Sequence, residues 1–278
     1  MSWKLAVIGD PIGHTLSPLI QGSMMEKLGA EGDYIAHHVR LAELPDFVQY
    51  ARENLDGFNI TIPHKAAILP YLDAIDPYAQ SCGAVNTVCI REGKLTGYNT
   101  DGDGIRSALR KMGADFSGNR VALLGAGGAA QSICRKALDC GAEGVRIFCR
   151  NQEKGRALGG GDCRAEVLPF GELCAENCGA WADIVLNATP LGMSGIGQDF
   201  ADFSFLDGGM PFVCDIVYKP AETTLLWECR KRGISCKNGL DMLIYQAISA
   251  YQYFTGARFD ADEMADYLRE KVEAYLQK

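Results

Sequence analysis

Val121-Ala122-Leu123-Leu124-Gly125-Ala126-Gly127-Gly128-Ala129-Ala130 reads as a buried strand, a glycine turn and the start of a helix. An unbroken apolar run suits a strand covered on both faces. Glycines let backbone come close to a ligand, and a helix start offers unpaired N–H groups and the positive end of its dipole. In this setting Gly125, Ala126, Gly127, Gly128 and Ala129 form a candidate cradle for a dinucleotide pyrophosphate. The helix runs on through Ile133, Ala137 and Leu138 to Gly141, and a second strand follows at Val145–Cys149, which makes a βαβ block. Further strands are expected at Ile184–Asn187 and Phe212–Ile216.

The tip of the second strand of such a block chooses the nucleotide. A site for NAD usually places Asp or Glu there, to accept from the ribose hydroxyls. Here the tip is Cys149-Arg150-Asn151-Gln152-Glu153-Lys154. Arg150 can stack on adenine and pair with a 2′-phosphate in fork geometry, and Lys154 adds charge. Nothing acidic occupies the tip itself, although Glu153 is close, so NADP is favoured over NAD. Without the glycine turn upstream, the same Arg and Lys would read as an ordinary solvated loop.

Upstream lies a second alternating pattern: a strand at Lys4–Gly9, a helix through Met24, Met25 and Leu28, a strand at Tyr34–Val39, and a helix from Leu44 to Asn54. Ser17-Pro18 is read as the first helix's start, with Ser17 as N-cap and Pro18 at the first helical position. The pattern implies a mainly parallel sheet. A boundary falls near Gly102–Asp103, where a helix leads towards Gly113, and the chain after Gly239 reads as helical. The expectation is an α/β protein of two domains: residues 1–102, residues 103–238, and C-terminal helices over 239–278.

The candidate chemistry sits at Asn59-Ile60-Thr61-Ile62-Pro63-His64-Lys65. The β-branched residues favour an extended chain and Pro63 ends the ladder, so Lys65 is delivered at a strand exit, where α/β proteins bind ligands. By alternation Thr61 and Lys65 face a ligand while Ile60 and Ile62 pack on the other side. The plain alternative is a solvated Lys opening the next helix. Asn99-Thr100-Asp101 supplies a carboxylate, with the local alternative that Thr100, Asp101 or Asp103 only caps a helix. Gly83-Ala84-Val85-Asn86-Thr87 reads as a short strand ending in an amide; a buried Asn86 needs partners, and a substrate hydroxyl is one. Thr15 and Ser17 offer two hydroxyls, unless Ser17 is spent on the cap.

With 278 residues, 47% of them hydrophobic, the chain can bury a sizeable core. A net charge of −8 without a basic block argues against nucleic acid, and no apolar run has the length of a membrane span. No leader-type segment precedes the first strand, so a cytoplasmic protein is expected. The 11 cysteines are odd in number and scattered, without a CxxC pair or a complete ligand set for a metal, and they read mostly as small core residues in a reducing compartment. No interface signature stands out; a homodimer stays open.

Taken together and in order, these motifs resemble the shikimate dehydrogenase family over nearly the whole chain. His14 to Pro18 is similar to the family's loop for the substrate carboxylate, Asn59 to Lys65 to NxTxPxK, Gly83 to Thr87 to GAVNT, Asn99 to Asp101 to NTD, and Gly125 to Ala130 to GAGGAA. Asn187 to Met193, Asp215 to Pro220 and Gly239 to Gln246 match the remaining three. The resemblance implies a substrate domain completed by the C-terminal helices, a Rossmann NADP domain, an active site in the cleft between them, and reversible reduction of 3-dehydroshikimate to shikimate in aromatic amino-acid biosynthesis. It implies Lys65 and Asp101 as the catalytic pair. Thr15, Ser17, Thr61, Asn86, Tyr218 and Gln246 would hold the substrate. Asn151, Ala188, Thr189, Ile216, Gly239 and Met242 would join the glycine turn, Arg150 and Lys154 around the cofactor. No metal is required. Hydride arriving at a ketone leaves an alkoxide, which an ammonium can protonate or stabilise. A carboxylate beside that ammonium favours its charged form, so whether Lys65 moves a proton or only steadies charge stays open.

Two positions depart from the family pattern. Thr15 replaces the usual Ser, which keeps the hydroxyl and adds a methyl, leaving preference among shikimate, quinate and aminoshikimate open. Cys149-Arg150-Asn151 replaces Asn-Arg-Thr, which leaves dual use of NAD and NADP open. The alternatives are therefore a quinate/shikimate dehydrogenase that accepts NAD and, in a different class, a dinucleotide-binding sensor without turnover.

Overall fold

A computed structural model describes residues 2–13, 15–209 and 211–277, so His14 of the carboxylate loop lies outside the described residues. The chain is mixed α/β and divides into two compact units, Met1–Gly104 with Ile244–Lys278, and Ile105–Leu243.

In the first unit the chain runs β1 (Ser2–Gly9), α1 (Ser17–Leu28), β2 (Glu31–His38), α2 (Leu44–Asn54), β3 (Gly57–Ile60), α3 (His64–Ala67), β4 (Ala74–Ile75), α4 (Pro77–Cys82), β5 (Thr87–Arg91) and β6 (Lys94–Tyr98). The sheet order is β2-β1-β3-β5-β6-β4. Only β5 runs against the others. Its reversal places its first residue, Thr87, opposite Asn59 near the end of β3 and opposite Tyr98 at the end of β6. Because β1 and β3 are in register at Ile8 and Ile60, all these ends lie along one sheet edge. Leu5, Ala6, Val7 and Ile8 are all buried, as a central strand covered on both faces requires. Ala6, Ile8, Phe47, Phe58, Ile60, Ile68 and Val88 share one core.

The chain leaves this unit within α5 (Asp101–Lys111) and returns within α9 (Leu240–Thr255). Between them lie β7 (Arg120–Leu124), α6 (Gly128–Asp139), β8 (Gly144–Cys149), α7 (Gln152–Gly159), β9 (Ala165–Pro169), β10 (Ile184–Asn187), β11 (Phe212–Asp215), α8 (Thr224–Lys231) and β12 (Cys236–Lys237). All pairs in the sheet β12-β11-β10-β7-β8-β9 are parallel. Val121 and Leu123 pack in one core, Ala122 and Leu124 in the other, the period-2 alternation of a doubly covered strand. The order reverses between β7 and β10, a topological switch point. After α9, α10 (Ala261–Leu276) closes the first unit: Lys27 on α1 pairs with Glu263 at 3.1 Å, and buried Gln21 donates to the Ala247 carbonyl at 3.1 Å.

Three expectations are corrected. Ser17 is not the N-cap of α1; the helix begins at Ser17 after Leu16, with no side-chain cap, and the Thr15 hydroxyl accepts from Ser17 N at 3.2 Å instead. Gly83–Asn86 is not a strand: Gly83, at φ 60°, ends α4 in the left-handed conformation, and Asn86 precedes β5 rather than ending a strand. Ile62 does not pack; β3 stops at Ile60, the alternation lapses, and Ile62 is 73% exposed. Most cysteines are buried, and all eleven are free thiols. No helix of the described residues is long and apolar enough to cross a membrane.

Candidate active site

In the first unit, the chain leaving β3 turns at Thr61, whose carbonyl accepts from His64 N at 3.0 Å, and enters α3 with Lys65 at its second position. His64 is buried, and its Nε2 lies 2.6 Å from the Val39 carbonyl, which pins the turn from below. The Lys65 carbonyl accepts from Val85 N at 2.8 Å. Lys65 Nζ then reaches Asp101 Oδ2 at 2.6 Å, with side chains 19% and 7% exposed. The other Asp101 oxygen accepts from Asn86 Nδ2 at 2.8 Å. Both oxygens thus serve residues outside α5, which removes the reading of Asp101 as a mere helix cap.

Asn86 is the hub of this edge. Its amide nitrogen also donates to Thr100 Oγ1 at 2.9 Å and approaches Gln246 Oε1 at 3.4 Å. Its oxygen accepts from Thr100 N at 2.9 Å and Thr87 Oγ1 at 3.0 Å. The reversal of β5 makes this possible, since it brings the start of that strand to the edge where β3 and β6 end. Six of the expected residues therefore gather in two groups: Lys65, Asp101, Asn86 and Gln246 around the carboxylate, and Thr15 with Ser17, whose hydroxyls lie 3.1 Å apart. Thr61 follows β3 at the same edge, its N–H donating to the Ile8 carbonyl at 2.9 Å.

Sequence reasoning missed Tyr34 and the bonding of Asn59. Tyr34 Oη donates to Asn59 Oδ1 at 2.7 Å, and Asn59 Nδ2 donates to the Asn86 carbonyl at 3.1 Å and Thr87 Oγ1 at 3.0 Å. Burial pushes the Tyr34 phenol well above its usual range, while a hydrogen bond to Ser17 opposes this. Tyr34 so links the hydroxyl loop to the hub. In sequence it is one aromatic in a strand, and no motif marks it.

In the second unit, Gly125 takes φ 106°, and a methyl group there would lie 3.0 Å from the Ala188 carbonyl oxygen, so the turn after β7 closes directly on the chain leaving β10. Methyl groups on Gly127 or Gly128 would point into open space beside the N-terminus of α6, the room a phosphate needs, and Ala126 and Ala129 complete the turn. Arg150, Asn151 and Lys154 lie exposed after β8; Asn151 Oδ1 accepts from Lys154 N at 3.0 Å and so caps α7. Thr189 is held by Asn187, whose Oδ1 accepts from Thr189 N at 3.0 Å and from its hydroxyl at 2.6 Å. Gly239 passes so close to Ile216 that a methyl would fall 2.0 Å from the Ile216 oxygen. Met242 is buried in the core of this unit, and Tyr218, half-buried, follows β11. Tyr218 is the one expected substrate residue that belongs to the second unit. Among the described residues no group of three or more His, Cys, Asp or Glu is placed to hold a metal.

A parallel sheet of this order, with a glycine turn at its switch point, is the framework of a dinucleotide-dependent oxidoreductase. The shikimate dehydrogenase substrate-binding domain model matches residues 7–88, and the shikimate 5′-dehydrogenase C-terminal domain model matches residues 239–269. The chain belongs to the shikimate dehydrogenase family: it is 38% identical to the shikimate dehydrogenase (NADP(+)) of Bacillus mycoides, over 98% of this chain and 99% of that one. It superposes on the shikimate 5-dehydrogenase of Thermus thermophilus, solved with NADP(H) and shikimate, with a TM-score of 0.86, 32% identity and coverage of 97% and 99%. The Listeria monocytogenes enzyme, solved with shikimate and NAD, gives a TM-score of 0.85 at 34% identity, covering 96% of each chain.

Proposed function

We propose that this protein is a shikimate dehydrogenase that reversibly reduces 3-dehydroshikimate to shikimate with NADPH, a step of aromatic amino-acid biosynthesis. The observation that carries the reading is the Lys65–Asp101 pair at 2.6 Å, braced by Asn86 at the edge of the first sheet. The nicotinamide nucleotide supplies the hydride. Lys65, as ammonium, stands by the developing alkoxide and donates the proton, and Asp101 holds it in place. Thr15, Ser17 and Thr61, with Asn86, Gln246 and Tyr218, bind the carboxylate and hydroxyls of the substrate. The first unit, Met1–Gly104 with Ile244–Lys278, makes the substrate domain. The second, Ile105–Leu243, makes the cofactor domain, with the pyrophosphate on Gly125–Ala129, the adenosine phosphate on Arg150, Asn151 and Lys154, and the nicotinamide side near Ala188, Thr189, Ile216, Gly239 and Met242. The eleven free thiols suit a reducing cytoplasm.

Two observations favour a second reading, a quinate/shikimate dehydrogenase that also takes NAD. The Asn151 side-chain oxygen is occupied by its own helix, and Thr15 adds a methyl beside Ser17. A sensor without turnover would need the glycine turn but no braced Lys–Asp pair. Initial rates of shikimate and quinate oxidation with NADP and with NAD separate the three. Fastest turnover with shikimate and NADP supports the first reading, a quinate preference or equal use of NAD supports the second, and no turnover in any combination leaves the third.

A further inference from the structure

Asp215 is buried at the end of β11 and has no part in the mechanism above. A carboxylate removed from water must be held by donors or it is costly. Three donors converge on it. Oδ1 accepts from Asn187 Nδ2 at 2.9 Å and from Val217 N at 3.1 Å, and Oδ2 accepts from Thr223 Oγ1 at 2.6 Å. Each donor belongs to a different stretch of chain. Asn187 stands opposite Asp215 in the parallel register, and its own oxygen holds both the N–H and the hydroxyl of Thr189. The Thr189 hydroxyl in turn accepts from Leu191 N at 3.2 Å. Val217 N belongs to the residue preceding Tyr218. Thr223 is the N-cap of α8, accepting from Leu226 N at 3.4 Å.

We propose that Asp215 is a positioning residue for the reaction: through Asn187 it sets the Thr189–Leu191 turn, and through Val217 N it sets the backbone that carries Tyr218. The assignment rests on the reading of Thr189 as a cofactor residue and Tyr218 as a substrate residue. One carboxylate then governs both binding sides of the second unit. The titratable groups that face it are Asp199, Cys214 and Cys229, acids and thiols rather than cations, so dipoles hold it in place. That arrangement is directional, and suits fixing a geometry better than neutralising a charge. An apolar residue of similar size would fill the same space at lower desolvation cost, yet could fix neither turn.

The test compares Asp215→Ala and Asp215→Asn with the parent by thermal melting, by the dissociation constant for NADP, and by kcat and KM for shikimate. Asp215→Ala is expected to weaken NADP and to lower kcat by about 10- to 100-fold, the cost of an ångström-scale misplacement. Asp215→Asn, which keeps an oxygen towards Asn187 and Val217, is expected to restore most of both. A folded Asp215→Ala with parental NADP affinity and kcat and only a lower melting temperature overturns the proposal. Should that variant fail to fold, Asn187→Ala, which leaves the carboxylate bound to Val217 and Thr223, is read in its place, and unchanged NADP affinity there overturns it equally. NADP binding needs no turnover, so absence of activity in the parent would count against the proposed function without deciding the role of Asp215.

Discussion

Lys65 Nζ lies 2.6 Å from Asp101 Oδ2, while the second oxygen of the same carboxylate takes the amide of Asn86 at 2.8 Å. Asp101 therefore has no spare oxygen with which to wander, and the ammonium it holds is fixed at the edge where β3 and β6 end. Lys65→Ala is expected to lower kcat by about 10²- to 10⁴-fold with a much smaller change in KM, the signature of a group that acts mainly in the transition state. Steady-state oxidation of shikimate measures both; a large KM rise at parental kcat would make Lys65 a binding residue only.

Asn86→Ala removes the hub. Thr100 N and Thr87 Oγ1 lose their acceptor, and Asp101 loses a donor. Leaving buried groups unpaired costs about 1–3 kcal/mol. The urea midpoint of the first unit should fall accordingly, and kcat with it, because Asp101 is no longer held from both sides.

Gly125→Ala forces a side chain into φ 106° and within 3.0 Å of the Ala188 oxygen. Strain of this kind costs about 1–3 kcal/mol and opens the turn between β7 and β10. NADP titration should show weaker binding, while the Lys65–Asp101 edge in the other unit stays intact.

Arg150→Ala tests nucleotide choice. A charge-assisted bond to a phosphate contributes about 1.5–3 kcal/mol, which corresponds to roughly 10- to 100-fold in the KM for NADP. The KM for NAD should move little, since NAD lacks the 2′-phosphate. Equal loss with both nucleotides would mean that Arg150 only stacks on adenine.

Stability should depend on pH through Asp215, whose carboxyl burial raises from 3.8 to about 6. The folded protein then binds this proton more tightly than the unfolded chain. The stability Asp215 confers is complete below pH 3.8 and is lost as pH rises through about 6. The loss is on the order of 3 kcal/mol. Asp199, Cys214 and Cys229 face the group and are unchanged in Asp215→Asn, so the difference in urea midpoint between that variant and the parent isolates it. The variant should gain on the parent between pH 4 and pH 7; a constant difference would place the carboxyl at an ordinary value.

Much of the candidate site was legible because its chemistry sits in short contiguous motifs. Lys65 at a strand exit and the glycine turn after Leu124 follow from local sequence, since each depends only on where a strand stops. Asn86 was found but misread: nothing in Gly83–Thr87 tells that β5 runs backwards, a fact set by pairing with Asn59 and Tyr98 far along the chain. Ser17 looked like a cap because a Ser before a Pro fits that role, yet the Thr15 hydroxyl takes its N–H. Ile62 followed the alternation of a strand that had already ended. Tyr34 and Asp215 act through bonds across the sheet, which no spacing encodes.

The first unit is assembled from both ends of its chain, whereas Ile105–Leu243 is continuous. During synthesis the nucleotide-binding sheet emerges whole, while the unit begun earlier still lacks α10 and most of α9. Domains fold as units once their chain is available. The unit that starts first thus finishes last, and Gln246, Ala247 and Glu263 arrive as its final pieces. A ribosome-stalled chain ending before Ile244 would carry a finished nucleotide-binding sheet and an open substrate sheet.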